Sequence, residues 1–387
     1  MDKAPHYVLV AGEPSGDVLG AELIKALLSE EPHAQFSGIG GHNMIAAGLR
    51  PWFHIDDLSV NGFVAPLMKL PSLLWILWRL QYLCKLKRPS AFVGIDFNFF
   101  NLLLAGLVKR HRIPTVHYVS PTVWAWRQGR INTIRRRIDL MLTLYPFETD
   151  IYLKHGIPVR FVGHPRAQEI DIEGHQKRDQ VARRSRGLSD KDRVIALLPG
   201  SRRSEIASMM PAYLEAVILL GKTYPDLKFI VAAANDRGCQ DISGYIEKQG
   251  LSSRVAIEVG DAIGVMAASD AVLVNSGTAT LEAMLLRKPM VMAYRLGNLT
   301  YQLVSRLVVV EHFALPNILA DKPIVEEFMQ DQATGENLAR ALGKLLIDDD
   351  REALMRDYTE IHRGLIGDLQ QNAARPIIQL AEGKLLK

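Results

Sequence analysis

Two stretches in the second half of the chain pair residue types that hold phosphate. Residues 194–205, VIALLPGSRRSE, carry an apolar run straight into a Pro-Gly-Ser-Arg-Arg turn, and 271–285, AVLVNSGTATLEAML, repeat the plan. In each, a strand ends in a small-residue loop with a helix behind it, so backbone N–H groups at the helix N-terminus face any anion held there. Gly200, Ser201 and Arg202 make the first loop, with Arg203 next to it. Ser276, Gly277 and Thr278 make the second, and Glu282 follows one turn into the helix. Arginine suits a diphosphate and a carboxylate suits ribose hydroxyls, so together they point to a nucleotide-sugar site.

The first half carries different chemistry. The loop GEPSGD (12–17) follows a first strand, with Glu13, Ser15 and Gly16 where a ligand could approach the backbone. It is not a GxGxxG dinucleotide fingerprint. In GIDFNFFN (94–101), Asp96 stands at the end of an apolar strand among phenylalanines. Partial desolvation there would raise its pKa and suit it to general-base work. The competing reading makes Asp96 or Asn98 a helix cap. HYVSPTVWAWRQGR (117–130) sets Trp124 and Trp126 beside Arg127 and Arg130, an aromatic wall with cations for a sugar or base and a phosphate.

A greasy segment, FVAPLMKLPSLLWILWRLQYLCKLKRP (63–89), offers Leu73, Leu74, Trp75, Leu77 and Trp78 on one helix, with lysines and arginines flanking them. Trp and basic residues around an apolar stripe fit a helix lying in a lipid interface. A core helix with a basic end is the alternative. Pro71 suits that helix's first turn.

At 387 residues, 48% hydrophobic and 23% charged, the chain suits two ordinary globular domains. Residues 1–165 hold 18 Lys/Arg against 12 Asp/Glu, and the remainder 28 against 30, so the basic excess lies in the first half. That favours an anionic partner there. The two cysteines, Cys84 and Cys239, make no disulfide framework and no zinc spacing. The eleven histidines show no HxxxH pair, and no GxSxG or Walker motif occurs, so no metal and no cofactor are expected. The N-terminus lacks a signal-peptide pattern, and no stretch approaches the roughly 20 apolar residues of a membrane span.

Short β-branched runs alternate with helical patterns, which argues for α/β architecture with parallel sheets. Strands are expected at 7–11, 91–95, 114–119 and 140–144, and again at 194–198, 228–234, 254–259, 271–275 and 289–294. The polar stretch 165–193 reads as the connection between domains plus a helical turn. The expected domains are 1–165, 166–345 and terminal helices over 346–387 that pack back on the first domain.

Taken in order, GEPSGD, HYVSPTVWAWRQGR, PFE (146–148), PVRFVGHP (158–165), LLPGSRRSE, NSGTATLEAML, PMVMAYR (289–295) and LPNILA (315–320) resemble lipid A disaccharide synthases. These are inverting glycosyltransferases of the GT-B fold, two Rossmann-like domains facing each other across a cleft. The resemblance implies transfer from UDP-2,3-diacylglucosamine to 2,3-diacylglucosamine 1-phosphate, giving a β-1,6 disaccharide and UDP. It implies Arg202 at the diphosphate, Glu282 and Asn317 near the nucleotide, Asp96 as base, and Glu13 as a polar residue of the first loop. It implies a cytoplasmic enzyme peripheral on the inner membrane, with a lipid surface and not nucleic acid as partner; a homodimer is left open. One departure stands out: where the family string reads GIDAPDFN, Phe99 replaces the second aspartate. A non-hydrolysing UDP-sugar 2-epimerase and a non-catalytic nucleotide-sugar sensor remain as rivals on the same fold.

Overall fold

A computed structural model of the chain describes residues 4–58, 65–125, 129–296, 310–347 and 351–384. It divides into two compact units, Met1–Pro165 with Leu365–Lys387, and Arg166–Gly364.

The first unit is built on a seven-stranded parallel sheet among the described residues. Its strands are β1 (His6–Ala11), β2 (Gln35–Gly40), β3 (Leu49–His54), β4 (Ala91–Ile95), β5 (Thr115–Tyr118), β6 (Leu140–Thr143) and β7 (Val159–Phe161), in the order β3-β2-β1-β4-β5-β6-β7. The central strands are buried on both faces, which is why they read as unbroken apolar runs. The order reverses between β1 and β4, where Leu9 pairs with Val93 and Ala11 with Ile95. Ligand crevices in open α/β sheets form at that reversal, beyond the carboxyl ends of the strands. The Gly12 loop and Asp96 therefore share the favoured corner.

Three strands of this sheet escape the sequence pattern. In β2, Gly38 has φ +142° and an added Cβ would fall 1.9 Å from the Leu9 carbonyl oxygen, so close strand packing requires a glycine that masks the strand signal. β3 contains Pro51 and lies at the sheet's edge, the place a strand tolerates proline. β7 is three residues long.

Among the described residues the second unit has a six-stranded parallel sheet: β8 (Val194–Leu198), β9 (Lys228–Ala233), β10 (Val255–Val259), β11 (Ala271–Asn275), β12 (Met290–Tyr294) and β13 (Glu326–Met329), ordered β10-β9-β8-β11-β12-β13. Its reversal falls between β8 and β11, the strands that feed the two phosphate-type turns. The stretch 165–193 begins at the boundary between the units and holds more helix than the single turn expected of it. It forms α7 (Pro165–Glu169) and α8 (His175–Arg184) within this unit. Arg186, just beyond α8, is fastened by Glu258 and Asp261, each at 2.7 Å.

Two expectations about helices are corrected. The helix α9 (Arg203–Thr223) is long and apolar enough by composition to span a membrane, yet Met209, Met210, Tyr213, Leu214 and Val217 bury it in the second unit's core. The expected return of 346–387 is also shorter. A helix over Glu352–Leu365 stays with the second unit through Gly364, and the chain rejoins the first unit only from Leu365, where Ala373, Ala374 and Ile377 enter its core.

The greasy segment folds as α3 (Ala65–Lys87), with Pro71 inside it and not in its first turn. Leu73 and Leu77, expected on the outer face, turn inward beside buried Ile76, Leu80 and Cys84. Leu74, Trp75 and Trp78 are more than half exposed, joined by Leu70, Tyr82 and Leu86.

Candidate functional site

In the first unit, α1 (Pro14–Glu30) starts directly after the Gly12 loop, with Pro14 in its first position. Glu13 and Ser15 are exposed and Gly16 is buried. An added Cβ at Gly12 would fall 2.3 Å from the Phe97 ring, and one at Gly16 would lie 3.7 Å from Asp96 Cβ. The loop thus packs directly on the Asp96 bend. Asp17, from the same motif, is structural. Its carboxylate accepts from the backbone N–H groups of Gly41 (2.7 Å), Asn43 (2.9 Å) and Met44 (3.1 Å), capping α2 (His42–Ala46).

Asp96 and Phe97 both lie in the left-handed region, at φ 49° and 43°. Non-glycine residues pay roughly 1–2 kcal/mol each for that conformation, and such strain clusters where a side chain must be presented. The bend ends β4 and opens α4 (Asn98–Lys109), which has no side-chain cap. Asp96 Oδ1 accepts from the N–H of Phe97 at 2.9 Å, and Asn98 Oδ1 bonds His117 Nε2 at 2.9 Å. The capping alternative therefore fails for both residues. Burial lifts the Asp96 carboxyl above the ordinary aspartate range, against hydrogen bonds from the Phe97 N–H and the Ser15 side chain. Phe99, one turn on, is 78% exposed.

Beyond β5 the chain passes through Val119 (φ 76°) into the aromatic loop. Trp124 meets Phe147 edge-on at 5.3 Å, and Phe147 stacks on Tyr145 at 5.7 Å, so this tryptophan is part of an aromatic pile. Trp126 and Arg127 lie outside the described residues.

The sequence pattern missed Glu148, in α6 (Pro146–Lys154). It is 3% exposed, and burial pushes its carboxyl up to about 8, against hydrogen bonds from Ser120 and the Tyr145 N–H. Its Pro-x-Glu context is that of a helix start, which hides a buried acid behind a capping signature.

In the second unit, a cavity of about 420 Å³ opens at the β8/β11 reversal, lined by Gly200, Ser201, Arg202, Glu205, Asn275, Ser276, Gly277 and Thr278. Asn275 Nδ2 donates to the Pro199 carbonyl at 3.3 Å, tying the two turns together. Gly200 and Gly277 take φ +112° and +126°, which glycine alone adopts without strain.

The two turns differ. The N–H groups of Ser201 and Arg202 both donate to Glu205 Oε2 at 3.1 Å, so the expected anion seat at the start of α9 is filled by a carboxylate of the same helix. The Arg202 side chain is 80% exposed, with Nη1 3.4 Å from Glu205 Oε1. Arg203 turns away to Asp241 at 3.1 Å. The second turn opens α12 (Thr278–Leu285), whose N-terminus has no side-chain cap.

Two residues expected near the nucleotide are engaged elsewhere. Glu282 pairs with Arg166 Nε at 3.3 Å and does not line the cavity. Asn317, in α13 (Leu315–Ala320), is fully buried. Its Nδ2 donates to the Val325 carbonyl and Glu327, and its Oδ1 accepts from the N–H groups of Ile324 and Val325. All of its ordinary hydrogen-bonding capacity is spent on fixing β13.

A model of the lipid-A-disaccharide synthetase family matches residues 7–380. The chain is 46% identical over 381 residues to the lipid-A-disaccharide synthase of Alkalilimnicola ehrlichii, covering 98% of this chain and 99% of that one. It is 43% identical over 379 residues to the synthase of Azotobacter vinelandii, covering 97% and 98%. In three dimensions it is similar to the UDP-GlcNAc 2-epimerase of Neisseria meningitidis solved with UDP-GlcNAc (TM-score 0.60, 14% identity, 99% and 100% covered). It is also similar to Anabaena HepE solved with UDP and glucose (TM-score 0.56, 15% identity, 98% and 100% covered). At such identities the fold alone is shared, and it is the two-domain, Rossmann-like GT-B fold. With near full-length identity of this order added to the matching fold, the chain belongs to the lipid-A-disaccharide synthetase family and is a glycosyltransferase of lipid A synthesis.

Proposed function

We propose that the enzyme joins UDP-2,3-diacylglucosamine to 2,3-diacylglucosamine 1-phosphate in a single displacement with inversion, forming the β-1,6 disaccharide 1-phosphate and UDP. The observation that carries the chemistry is the strained bend presenting the half-buried Asp96 carboxyl. Asp96 takes the proton of the acceptor's 6-hydroxyl as that oxygen attacks the anomeric carbon. The C–O bond to the β-phosphate breaks on the opposite face, and its electron pair leaves with UDP. A positioned base contributes about 10²–10⁴ in rate.

The second unit supplies the leaving-group side. Charge grows on the β-phosphate oxygen as the bond breaks. The exposed Arg202 guanidinium and the uncapped N-terminus of α12, with Ser276, Gly277 and Thr278, are suited to stabilise it by preorganised electrostatics. Glu13, Ser15 and Gly16 frame the acceptor end beside Asp96. Trp124, packed on Phe147, offers an aromatic face to the acceptor sugar in this reading.

Both substrates carry acyl chains, so the enzyme works at a lipid surface. Leu74, Trp75 and Trp78 of α3, with Leu70, Tyr82 and Leu86, form the apolar face for peripheral contact with the cytoplasmic side of the inner membrane. The test is a two-substrate assay in detergent micelles with mass detection of the disaccharide and UDP. Both products should form only when both lipids are present. Conversion of UDP-GlcNAc alone to its 2-epimer, with no disaccharide from the two lipids, would replace this reading with epimerase chemistry.

A further inference from the structure

The bend at Asp96 is held by a side chain that sequence patterns do not single out. Asn101 sits in the first turn of α4 and is fully buried. Its Nδ2 lies 3.1 Å from the Val10 carbonyl oxygen, 3.2 Å from that of Ile95 and 2.9 Å from that of Asp96. Those carbonyls come from β1, from the end of β4 and from the bend itself. An amide carries two N–H bonds, so the three acceptors share them. The orientation is fixed by the same contacts, because a flipped amide would set its oxygen against three carbonyl oxygens.

The need for this clamp follows from the backbone. With Asp96 and Phe97 both left-handed, the chain leaves the ladder after the Asp96 N–H donates to the Tyr118 carbonyl at 2.8 Å. The carbonyls of Ile95 and Asp96 then turn beneath α4, where leaving them unpaired costs about 1–3 kcal/mol each. Gly94 makes room for the arrangement. A Cβ there would fall 2.8 Å from Asn101 Cβ and 3.2 Å from His117 Nδ1. His117, fully buried and held by Asn98, walls the other side.

We propose that Asn101 is a positioning residue for catalysis: its amide locks the Asp96–Phe97 bend so that the Asp96 carboxylate stays fixed against Ser15 and Gly16. This rests on Asp96 being the base. The link between them is mechanical, through the backbone carbonyl of Asp96, so loosening the clamp moves the carboxylate by a fraction of its own length. Displacements on the order of 1 Å cost about 10²-fold in rate.

The experiment uses the full chain with Asn101→Ser, isosteric Asn101→Asp and, as an independent push on the same clamp, Gly94→Ala. The expected result is a kcat loss of about 10²-fold for the Asn101 variants. The KM for the sugar nucleotide should stay unchanged, because its grip lies in the second unit. The acid limb of kcat/KM should move down in pH for Asn101→Ser, as the loosened carboxyl gains solvent; Asn101→Asp adds a carboxyl close to Asp96 and is read by kcat alone. Calorimetric UDP binding checks that the second unit is intact, and thermal unfolding registers any loss of fold.

The decisive comparison is the double variant. If Asn101 acts through Asp96, adding Asn101→Ser to Asp96→Asn costs no further activity. A further loss equal to that of the single variant, or Asn101 variants with wild-type kcat and acid limb, overturns the proposal. Failure of the underlying base assignment looks different, because Asp96→Asn itself would then turn over at the wild-type rate.

Discussion

The two units share one plan, a parallel sheet with its reversal at the site, yet they equip that corner with opposite chemistry. The first unit sets acids among apolar groups. Asp96 is lifted by burial and Glu148 is pushed up to about 8. The second unit offers a guanidinium and a helix N-terminus, and an acid lining its cavity, Glu205, is engaged by backbone N–H groups and Arg202. The same skeleton can thus be tuned to accept a proton at one corner and to receive negative charge at the other. The difference comes from the few residues after the central strands: a left-handed Asp-Phe bend in one unit, and glycines at positive φ in the other.

The comparison breaks first at Asp96. Asp96→Asn should lower kcat by about 10²–10⁴-fold, while UDP affinity measured by calorimetry stays at the wild-type value. A matching loss of UDP affinity would mean that the division of labour is wrong. Arg202→Ala should do the reverse. UDP binding weakens by about 1.5–3 kcal/mol, the range for a hydrogen bond to a charged group, and Arg202→Lys restores only part of it. Unaltered UDP binding would remove Arg202 from the diphosphate.

Glu205→Gln sharpens the contrast between the two turns. The amide oxygen can still receive the Ser201 and Arg202 N–H groups, but the negative charge beside the proposed diphosphate seat is gone. UDP should bind more tightly by about 0.3–1 kcal/mol; weaker binding would show that the carboxylate itself organises the seat. The last test falls on Glu148, and it is read in stability and not in turnover or UDP binding. The folded protein holds that proton up to about 8, against an ordinary value of 4.5. Its contribution to stability is complete below pH 4.5 and declines as the pH rises to 8. Glu148→Gln stays neutral, so its melting temperature should fall less than that of the wild type between pH 5 and pH 9, by a few degrees. Parallel profiles would show that Glu148 ionises freely.

Much of this was legible in the sequence where one residue type has one physical use. Apolar runs such as AFVGI and AVLVN can only be strands buried on both faces, and both are. The PGS and NSG turns could be read as the loops after β8 and β11 because glycine at positive φ leaves a visible mark. What stayed hidden depends on side-chain direction. Glu282 and Asn317 occupy plausible positions along the chain, but one turns to Arg166 and the other is spent on β13. The self-capping by Glu205 and the clamp by Asn101 are local hydrogen bonds, and nothing in the letter pattern tells a cap from a contact. In α3, the spacing shows that an apolar face exists. It does not show that Leu73 and Leu77 lie on the inner side of it.

That helix has one further consequence. Beside Trp75, its exposed apolar residues Leu70, Leu74, Trp78, Tyr82 and Leu86 recur at every fourth position. Four residues turn an α-helix through one full revolution and about 40° more, so the row winds around the cylinder by about 160° from end to end. A plane laid against the helix can meet Leu70, Leu74 and Trp78 together, or Trp78, Tyr82 and Leu86, but not all five. Trp78 belongs to both sets, stacked on Tyr82 at 5.9 Å. The helix can therefore roll from one footing to the other about that indole without ever withdrawing it.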